Sequence, residues 1–128
     1  MSQDTGHTYL DSHEVSGDVL LLDIDQEAAD VMDAARAAGV GHAAKTLVKD
    51  GPLRLIILGF KAGSSLREHS AQGPLSIQVV SGTVGLETAG GSQVIEPGKT
   101  LVLGASIAHS VQASTDAVLL LTIAWPSQ

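Results

Sequence analysis

Residues 63–82 read GSSLREHSAQGPLSIQVVSG, a stretch that predicts two short β-strands on either side of a turn. Apolar and β-branched residues flank Gly73 and Pro74, which are typical turn residues. Side chains of a strand alternate between its two faces, so His69 and Ala71 share one face. Continued by twos into the second strand, that face is apolar apart from the histidine. We therefore expect His69 to point into an aliphatic interior.

The same alternation of short apolar runs with Gly- and Pro-rich turns extends outward, from residue 45 to residue 124. Many short strands with regular turns are typical of a β-sandwich or a β-barrel. The predicted strands comprise residues 45–49, 53–60, 66–71, 75–81, 83–87, 93–95, 100–103, 109–113 and 117–124. We therefore expect a mainly β fold whose barrel spans about 45–124. A second histidine, His109, shares a predicted inner face with Val111 and Ala113. We therefore expect the two imidazoles to lie close together inside the barrel. At least one should be neutral at pH 7, because burial disfavours the charged form and two adjacent cations would repel each other.

A helix is predicted before the strands, at residues 26–38 (QEAADVMDAARAA). These residues are strong helix formers, and an apolar stripe that includes Val31 and Ala35 has helical spacing. Asp23 or Asp25 is expected to cap its start, because a carboxylate accepts hydrogen bonds from the free amides there.

Two further segments precede the helix. Residues 18–24 (DVLLLDI) form a short apolar run that predicts a strand. Residues 1–16 are polar and lack periodicity, so we interpret them as a flexible arm in which His7 and His13 are solvated. Residues 17–128 then form one domain, which suits a chain of 128 residues.

The composition argues against several classes of function. The formal net charge is −7, and the seven Lys and Arg residues are scattered along the chain. Nucleic-acid binding requires a clustered basic surface, and single-strand binders add aromatic platforms, whereas the aromatic residues here are Tyr9, Phe60 and Trp125 alone. The absence of cysteine excludes disulfides and thiolate metal sites. No apolar run is long enough to span a bilayer and the N-terminus lacks an apolar signal core, so we expect a cytoplasmic protein without nucleic-acid or membrane partners.

The spacing around His69 has a recognisable form. Gly63 is followed by five residues and then His69, two positions later stands Ala71, and Leu75 follows after three residues. Six residues separate Leu75 from Gly82. This spacing resembles the first cupin motif, G-x5-H-x-H-x3-4-E-x6-G, with Ala71 at the second histidine position and Leu75 at the glutamate position.

The spacing around His109 resembles the second cupin motif, G-x5-P-x-G-x2-H-x3-N. Gly98 precedes five residues, then come Gly104 at the proline position and Ser106 at the glycine position. His109 follows after two residues, and Ala113 stands at the asparagine position. The resemblance covers most of the chain and keeps both motif spacings, three framework glycines and two of the four usual metal ligands.

The resemblance implies a small single-domain cupin of the RmlC-like superfamily, that is, a jelly-roll barrel or double-stranded β-helix. Members of this family normally hold iron, manganese, zinc or nickel with three histidines and a carboxylate. Only His69 and His109 remain here, so we expect at most one weakly held divalent transition metal (Ni, Zn, Fe, Mn or Cu). The alternative is that both imidazoles are hydrogen-bonded to backbone or water.

Two other residues are candidates for ligand binding. Gln78 offers an amide oxygen in an apolar strand, although alternation turns it away from Leu75, toward the outer surface or a dimer contact. Arg67 shares the face of His69 by alternation and would draw an anionic ligand to the pocket; the alternative is a solvated residue at a strand start. His42 is predicted to be an exposed loop histidine.

Three functional interpretations remain open. The first is a cupin-fold protein that binds a small molecule in its barrel through His69 and His109. The second is a metal-dependent enzyme of oxygenase or isomerase type, implied by the family. The third is a dimeric structural or sensory module. We expect a homodimer, because residues 18–24 and 117–124 are very apolar and an open sheet edge invites pairing.

Overall fold

The computed structural model describes residues 16–126. The elements in chain order are α1 (Ile24–Ala37), β1 (His42–Asp50), β2 (Leu53–Phe60), β3 (Ser65–His69), β4 (Leu75–Ser81), β5 (Val84–Thr88), β6 (Gly91–Ile95), β7 (Thr100–Leu103), β8 (His109–Ala113) and β9 (Ala117–Ala124). The bounds of β2, β4, β7, β8 and β9 are those predicted from the sequence. The predicted arm at residues 1–16 lies outside the described residues apart from Ser16.

The strands form two antiparallel sheets with the main core between them. One sheet has the order β1-β2-β9-β4-β7 and the other has the order β3-β8-β5-β6. Phe60 and Leu119 of the first sheet share one buried cluster with Leu86 and Val111 of the second. Inward-facing side chains of both sheets thus fill a common interior, as in jelly rolls. The predicted mainly β jelly-roll fold with an N-terminal helix is confirmed.

Helix α1 packs on the outer face of the five-stranded sheet. Val31 and Ala35 are completely buried there, in a second apolar cluster that contains Ile57 of β2. The Asp23 side chain accepts a hydrogen bond of 3.1 Å from the Gln26 amide, so the predicted helix cap is confirmed.

A glycine permits the close approach of α1 to the sheet. A Cβ atom on Gly59 would lie 2.8 Å from the carbonyl oxygen of Val31, which is backbone and cannot rotate away. Any larger residue at this position of β2 would therefore push the helix outward.

A buried ion pair also joins α1 to the sheet. The Lys45 Nζ atom lies 2.8 Å from a carboxylate oxygen of Glu27, and the two side chains are only 8% and 10% exposed. Because buried charges are rarely tolerated without partners, these residues must remain together in the folded state.

Two predictions about apolar segments are wrong. Residues 18–23 contain no strand, and Ile24 already begins the helix; Leu20 and Leu22 pack against the cluster under α1 instead. Strand β9 is not a sheet edge, since it lies between β2 and β4. Its continuous apolar character has another cause: Val118 and Leu119 are buried in different clusters, on opposite faces of the sheet. The edge-strand argument for a dimer therefore fails for both segments.

Within residues 16–126, no helix is both long enough and apolar enough to cross a membrane.

Candidate functional site

Pairing of β3 with β8 brings the two motif histidines together. His69 and His109 are directly opposite each other in the antiparallel ladder. Their ring centroids are 4.3 Å apart and the rings are tilted by 55°. The predicted proximity of the two imidazoles is confirmed.

Both imidazoles line a cavity of about 310 Å³ within the barrel. Aliphatic side chains of both sheets form most of its wall, including Ala44, Ile56, Leu58, Leu66, Leu121 and Ile123. Ser70 and Gln72 are exposed and contribute polar groups at the mouth. The arrangement is a largely apolar pocket with a few polar groups on one side, which is the usual composition of a small-molecule site.

The backbone sets the tautomer of both histidines in the same way. The Nδ1 atom of His69 lies 3.0 Å from the carbonyl oxygen of Arg67, and the Nδ1 atom of His109 lies 3.0 Å from that of Ile107. Because a carbonyl oxygen only accepts hydrogen bonds, each neutral ring must carry its proton on Nδ1. Each Nε2 atom is then left with a lone pair, and it has no hydrogen-bond partner within residues 16–126.

The protonation state of His109 follows from its burial. Only 2% of the residue is exposed, and this desolvation lowers its pKa below the ordinary value of 6.5. The hydrogen bond to the Ile107 carbonyl opposes the shift, whereas the adjacent charge of His69 adds to it. His109 is therefore mostly neutral at pH 7, as the sequence led us to expect for at least one member of the pair.

The donor set fits two-nitrogen metal ligation only. Metal–nitrogen bonds of about 2 Å place the nitrogens of two ligating imidazoles roughly 3 Å apart, which rings centred 4.3 Å from each other can provide. Within residues 16–126, however, no group of three or more His, Asp or Glu side chains is placed to hold an ion. Water or a bound molecule would have to supply the remaining ligands and the negative charge.

Arg67 does not share the face of His69, contrary to the prediction. The register of β3 shifts between Leu66 and His69, so a β-bulge places these two side chains on the cavity wall although they are three positions apart. Arg67 is exposed and lines a different cleft of about 460 Å³. Its contribution to the site is the carbonyl group that orients His69.

His42 is not an exposed loop residue, contrary to the prediction. Strand β1 begins at His42, three residues earlier than predicted, and the residue is only 5% exposed. Its ring packs against Phe60 at a centroid distance of 5.7 Å, and burial lowers its pKa. His42 lines the same outer cleft as Arg67, not the cavity of the histidine pair.

Gln78 is exposed on the outer face of β4, as strand alternation indicated. Its neighbours Ile77 and Val79 are buried, and Gln78 is not among the residues that line the cavity.

Sequence reasoning missed Trp125 as a cavity residue. Directly after β9, the Trp125 amide donates a hydrogen bond to the Pro52 carbonyl, and the indole lines the cavity. The Arg54 guanidinium lies 5.6 Å from the indole ring centre. The available signal was the position of the single tryptophan directly after a buried strand.

No protein-family model matches the chain, and no curated protein matches it significantly. Solved structures do. A conserved protein of unknown function from Streptococcus pyogenes is 20% identical, with a TM-score of 0.69 over 93% of this chain and 98% of that protein. An RmlC-like cupin from Shewanella frigidimarina is 19% identical, with a TM-score of 0.64 over 70% of this chain and 81% of the other.

A larger enzyme contains a similar fold. A mutant salicylate 1,2-dioxygenase from Pseudoaminobacter salicylatoxidans, solved in complex with gentisate, is 19% identical with a TM-score of 0.70. The match covers 77% of this chain but only 32% of the dioxygenase. Likeness at this level of identity establishes the fold and leaves the function open.

Proposed function

This chain has the fold of a small RmlC-like cupin, and from that premise we propose that its barrel binds a small molecule against His69 and His109. The observation that carries the proposal is the pair of adjacent imidazoles on the wall of an otherwise apolar cavity of about 310 Å³. A cavity of this size lies at the small end of the range for ligand sites. The two rings offer hydrogen-bonding atoms to the ligand, and the aliphatic wall buries the ligand's apolar surface.

Trp125 supports the same function. Its indole lines the cavity, and the Arg54 guanidinium lies 5.6 Å from the ring centre. An aromatic ring in this position offers a flat surface against which an apolar ligand packs, and buried aromatic area contributes strongly to binding. Replacement of Trp125 by alanine should weaken ligand binding while leaving the histidine pair in place.

The test measures the binding of small apolar fragments by ligand-observed NMR. Protein without a histidine tag should bind a subset of fragments, and His109→Ala should weaken that binding. Gln78→Ala is the matched control, because Gln78 lies on the outer face of the same barrel. Equal binding by the wild type, His109→Ala and Gln78→Ala would show that the fragments bind elsewhere.

Metal binding is a second candidate function, favoured by the tautomers of the two histidines. Metal-ligating histidines usually donate their other ring nitrogen to a carboxylate or carbonyl group, and both rings do so here. An ion held by His69 and His109 would supply Lewis acidity, and a dioxygenase is among the structural neighbours. The chain's own residues would orient the two nitrogens and exclude water with the aliphatic wall.

Elemental analysis of untagged protein tests this second candidate. We expect up to one zinc, nickel or copper ion per chain, lost on mild chelation because two protein ligands hold it weakly. His69→Ala should abolish retention, and Gln78→Ala should not. Metal that survives in both histidine variants would refute ligation by this pair.

We also propose that the protein forms a homodimer through a sheet edge. The edges of the two sheets include β7 and β6, where Val102 and Val94 are 70% and 66% exposed. Exposed apolar side chains on edge strands favour pairing with a second copy. Light scattering at micromolar concentration should give twice the chain mass, and a monomer would refute the proposal. Val102→Lys and Val94→Lys identify which edge is used.

A further inference from the structure

The hydrogen-bonding capacity of the two imidazoles limits what the cavity can hold. Both Nδ1 atoms already face backbone carbonyl oxygens at 3.0 Å. Each neutral ring therefore has one polar atom left, and that atom, Nε2, can only accept. Rings with centroids 4.3 Å apart bring the two acceptors to one region of the cavity wall.

Among the residues that the structure describes, no positively charged side chain accompanies these acceptors, because no Lys or Arg lines the cavity. The β-bulge turns Arg67 into the outer cleft, and Arg54 lies against Trp125 without lining the cavity. Beside two neutral imidazoles, a carboxylate would meet two lone pairs and an apolar wall, and burial of an uncompensated charge is strongly unfavourable.

From this arrangement we infer that the ligand is uncharged and donates hydrogen bonds to both Nε2 atoms, so that an alcohol carrying two neighbouring hydroxyl groups on an apolar body fits best. This inference rests on the proposed small-molecule function of the same cavity and specifies its ligand class. The hydroxyl groups satisfy two acceptors that have no hydrogen-bond partner among residues 16–126. The aliphatic wall and Trp125 surround the rest of the molecule.

The apolar wall adds discrimination against ligands that lack a donor. A molecule of the same shape without hydroxyl hydrogens would displace water from both Nε2 atoms and replace it with nothing. Leaving a buried acceptor without a partner is more unfavourable than a typical hydrogen bond is favourable. Selectivity therefore depends on the donor groups, while the apolar body provides affinity common to all analogues.

The test uses three probes that share a six-membered carbocycle: cis-1,2-cyclohexanediol, its dimethyl ether, and cyclohexanecarboxylate. Binding is measured by NMR titration at pH 8 in the presence of a chelator, so that no adventitious metal recruits the carboxylate. We expect the diol to bind at least tenfold more tightly than the dimethyl ether, and the carboxylate to bind more weakly than either. Long-range proton–nitrogen correlation spectra of the imidazoles should show the proton on Nδ1 in the free protein and a shift at Nε2 on addition of the diol.

A matched pair of variants separates donor recognition from cavity shape. His109→Phe keeps a ring and removes an acceptor, so the advantage of the diol over the ether should fall at least fivefold while ether binding changes by less than about threefold. Gln78→Ala should retain the wild-type ratio. If His109→Phe does not fold, His69→Phe replaces it, because His69 is the more exposed of the two.

The outcomes separate this inference from the proposed function. If the ether binds as tightly as the diol, or the carboxylate binds best, or the imidazoles carry the proton on Nε2, the inference is overturned while small-molecule binding stands. If none of the three probes, nor any other apolar fragment, binds in the cavity, both are overturned.

Discussion

Two motif glycines that share a backbone conformation should respond differently to the same substitution. Gly63 and Gly82 have φ angles of +85° and +80°, a region that residues with a Cβ atom rarely occupy. Their surroundings differ. A Cβ atom on Gly63 would have no neighbour within 4 Å, whereas one on Gly82 would clash with the carbonyl oxygen of Asp116 and lie 2.7 Å from Cα of Ala117.

The expected destabilisation follows from the backbone strain at both positions and from the clash at Gly82 alone. Left-handed backbone strain contributes roughly 1–2 kcal/mol in both alanine variants, and the stiffer unfolded chain offsets about 0.4–1 kcal/mol of it. Gly63→Ala should therefore reduce the free energy of unfolding by about 1 kcal/mol. Gly82→Ala adds overpacking against immobile backbone, typically a further 1–3 kcal/mol. The difference between Gly82→Ala and Gly63→Ala depends on the clash alone, because strain and unfolded-state effects are common to both.

Urea unfolding, followed by circular dichroism and by the fluorescence of Trp125, measures this difference directly. The two probes should report coincident transitions if unfolding is two-state. The clash argument is refuted if the two variants lose the same stability, or if Gly63→Ala is the less stable. Such a result would mean that the turn after β4 moves away from Asp116 without loss of stability.

Three further predictions concern the helix and the first strands. Lys45→Met should destabilise the fold by about 3–5 kcal/mol in urea unfolding, because it leaves the Glu27 carboxylate buried without its ammonium partner; a second substitution, Glu27→Leu, should recover most of that loss. Burial lowers the pKa of His42 below 6.5, so the unfolded chain binds a proton at a higher pH than the folded chain does. The free energy of unfolding should therefore fall as the pH drops below about 6.5, and it should fall less in His42→Phe. Urea unfolding of the wild type and of this variant at pH 8 and pH 5.5 measures the difference. Gly59→Ala should cost roughly 1–3 kcal/mol, since its Cβ would press on the Val31 carbonyl and displace α1; a crystal structure with an unmoved helix would contradict this.

The structural features that could be predicted from the sequence are largely local in origin. Alternation and turn residues predicted the bounds of five strands, because these signals act within a few residues. The motif spacing located both histidines of the site. Even a departure from the motif keeps the required geometry: Ser106, at a position where the cupin motif has glycine, has a φ of +66°. Its amide donates to the Ala71 carbonyl, a tertiary contact that supports this uncommon conformation.

The features that could not be predicted depend on non-local pairing. A bulge arises from the register of β3 against β8, so the outward position of Arg67 is invisible in the local alternation. The central position of β9 follows from sheet order, and its apolar sequence suits an edge or a centre equally well. Glu27 interrupts no obvious pattern, yet it becomes buried because Lys45 of a strand lies opposite it.

The two residues that depart from the first cupin motif alter the chemistry of the cavity jointly. Ala71 and Leu75 stand where the motif has histidine and glutamate, and both line the cavity. The glutamate would have supplied a negative charge to neutralise a bound cation, and within residues 16–126 no carboxylate lines the cavity in its place. Burial lowers the pKa of His109, so this imidazole is mostly neutral at pH 7. A complete metal site attracts anionic groups to its ion, whereas two lone pairs on an apolar wall repel them. Under the proposed small-molecule function, the absence of these two ligands therefore favours a neutral hydrogen-bond donor over an anion in the cavity.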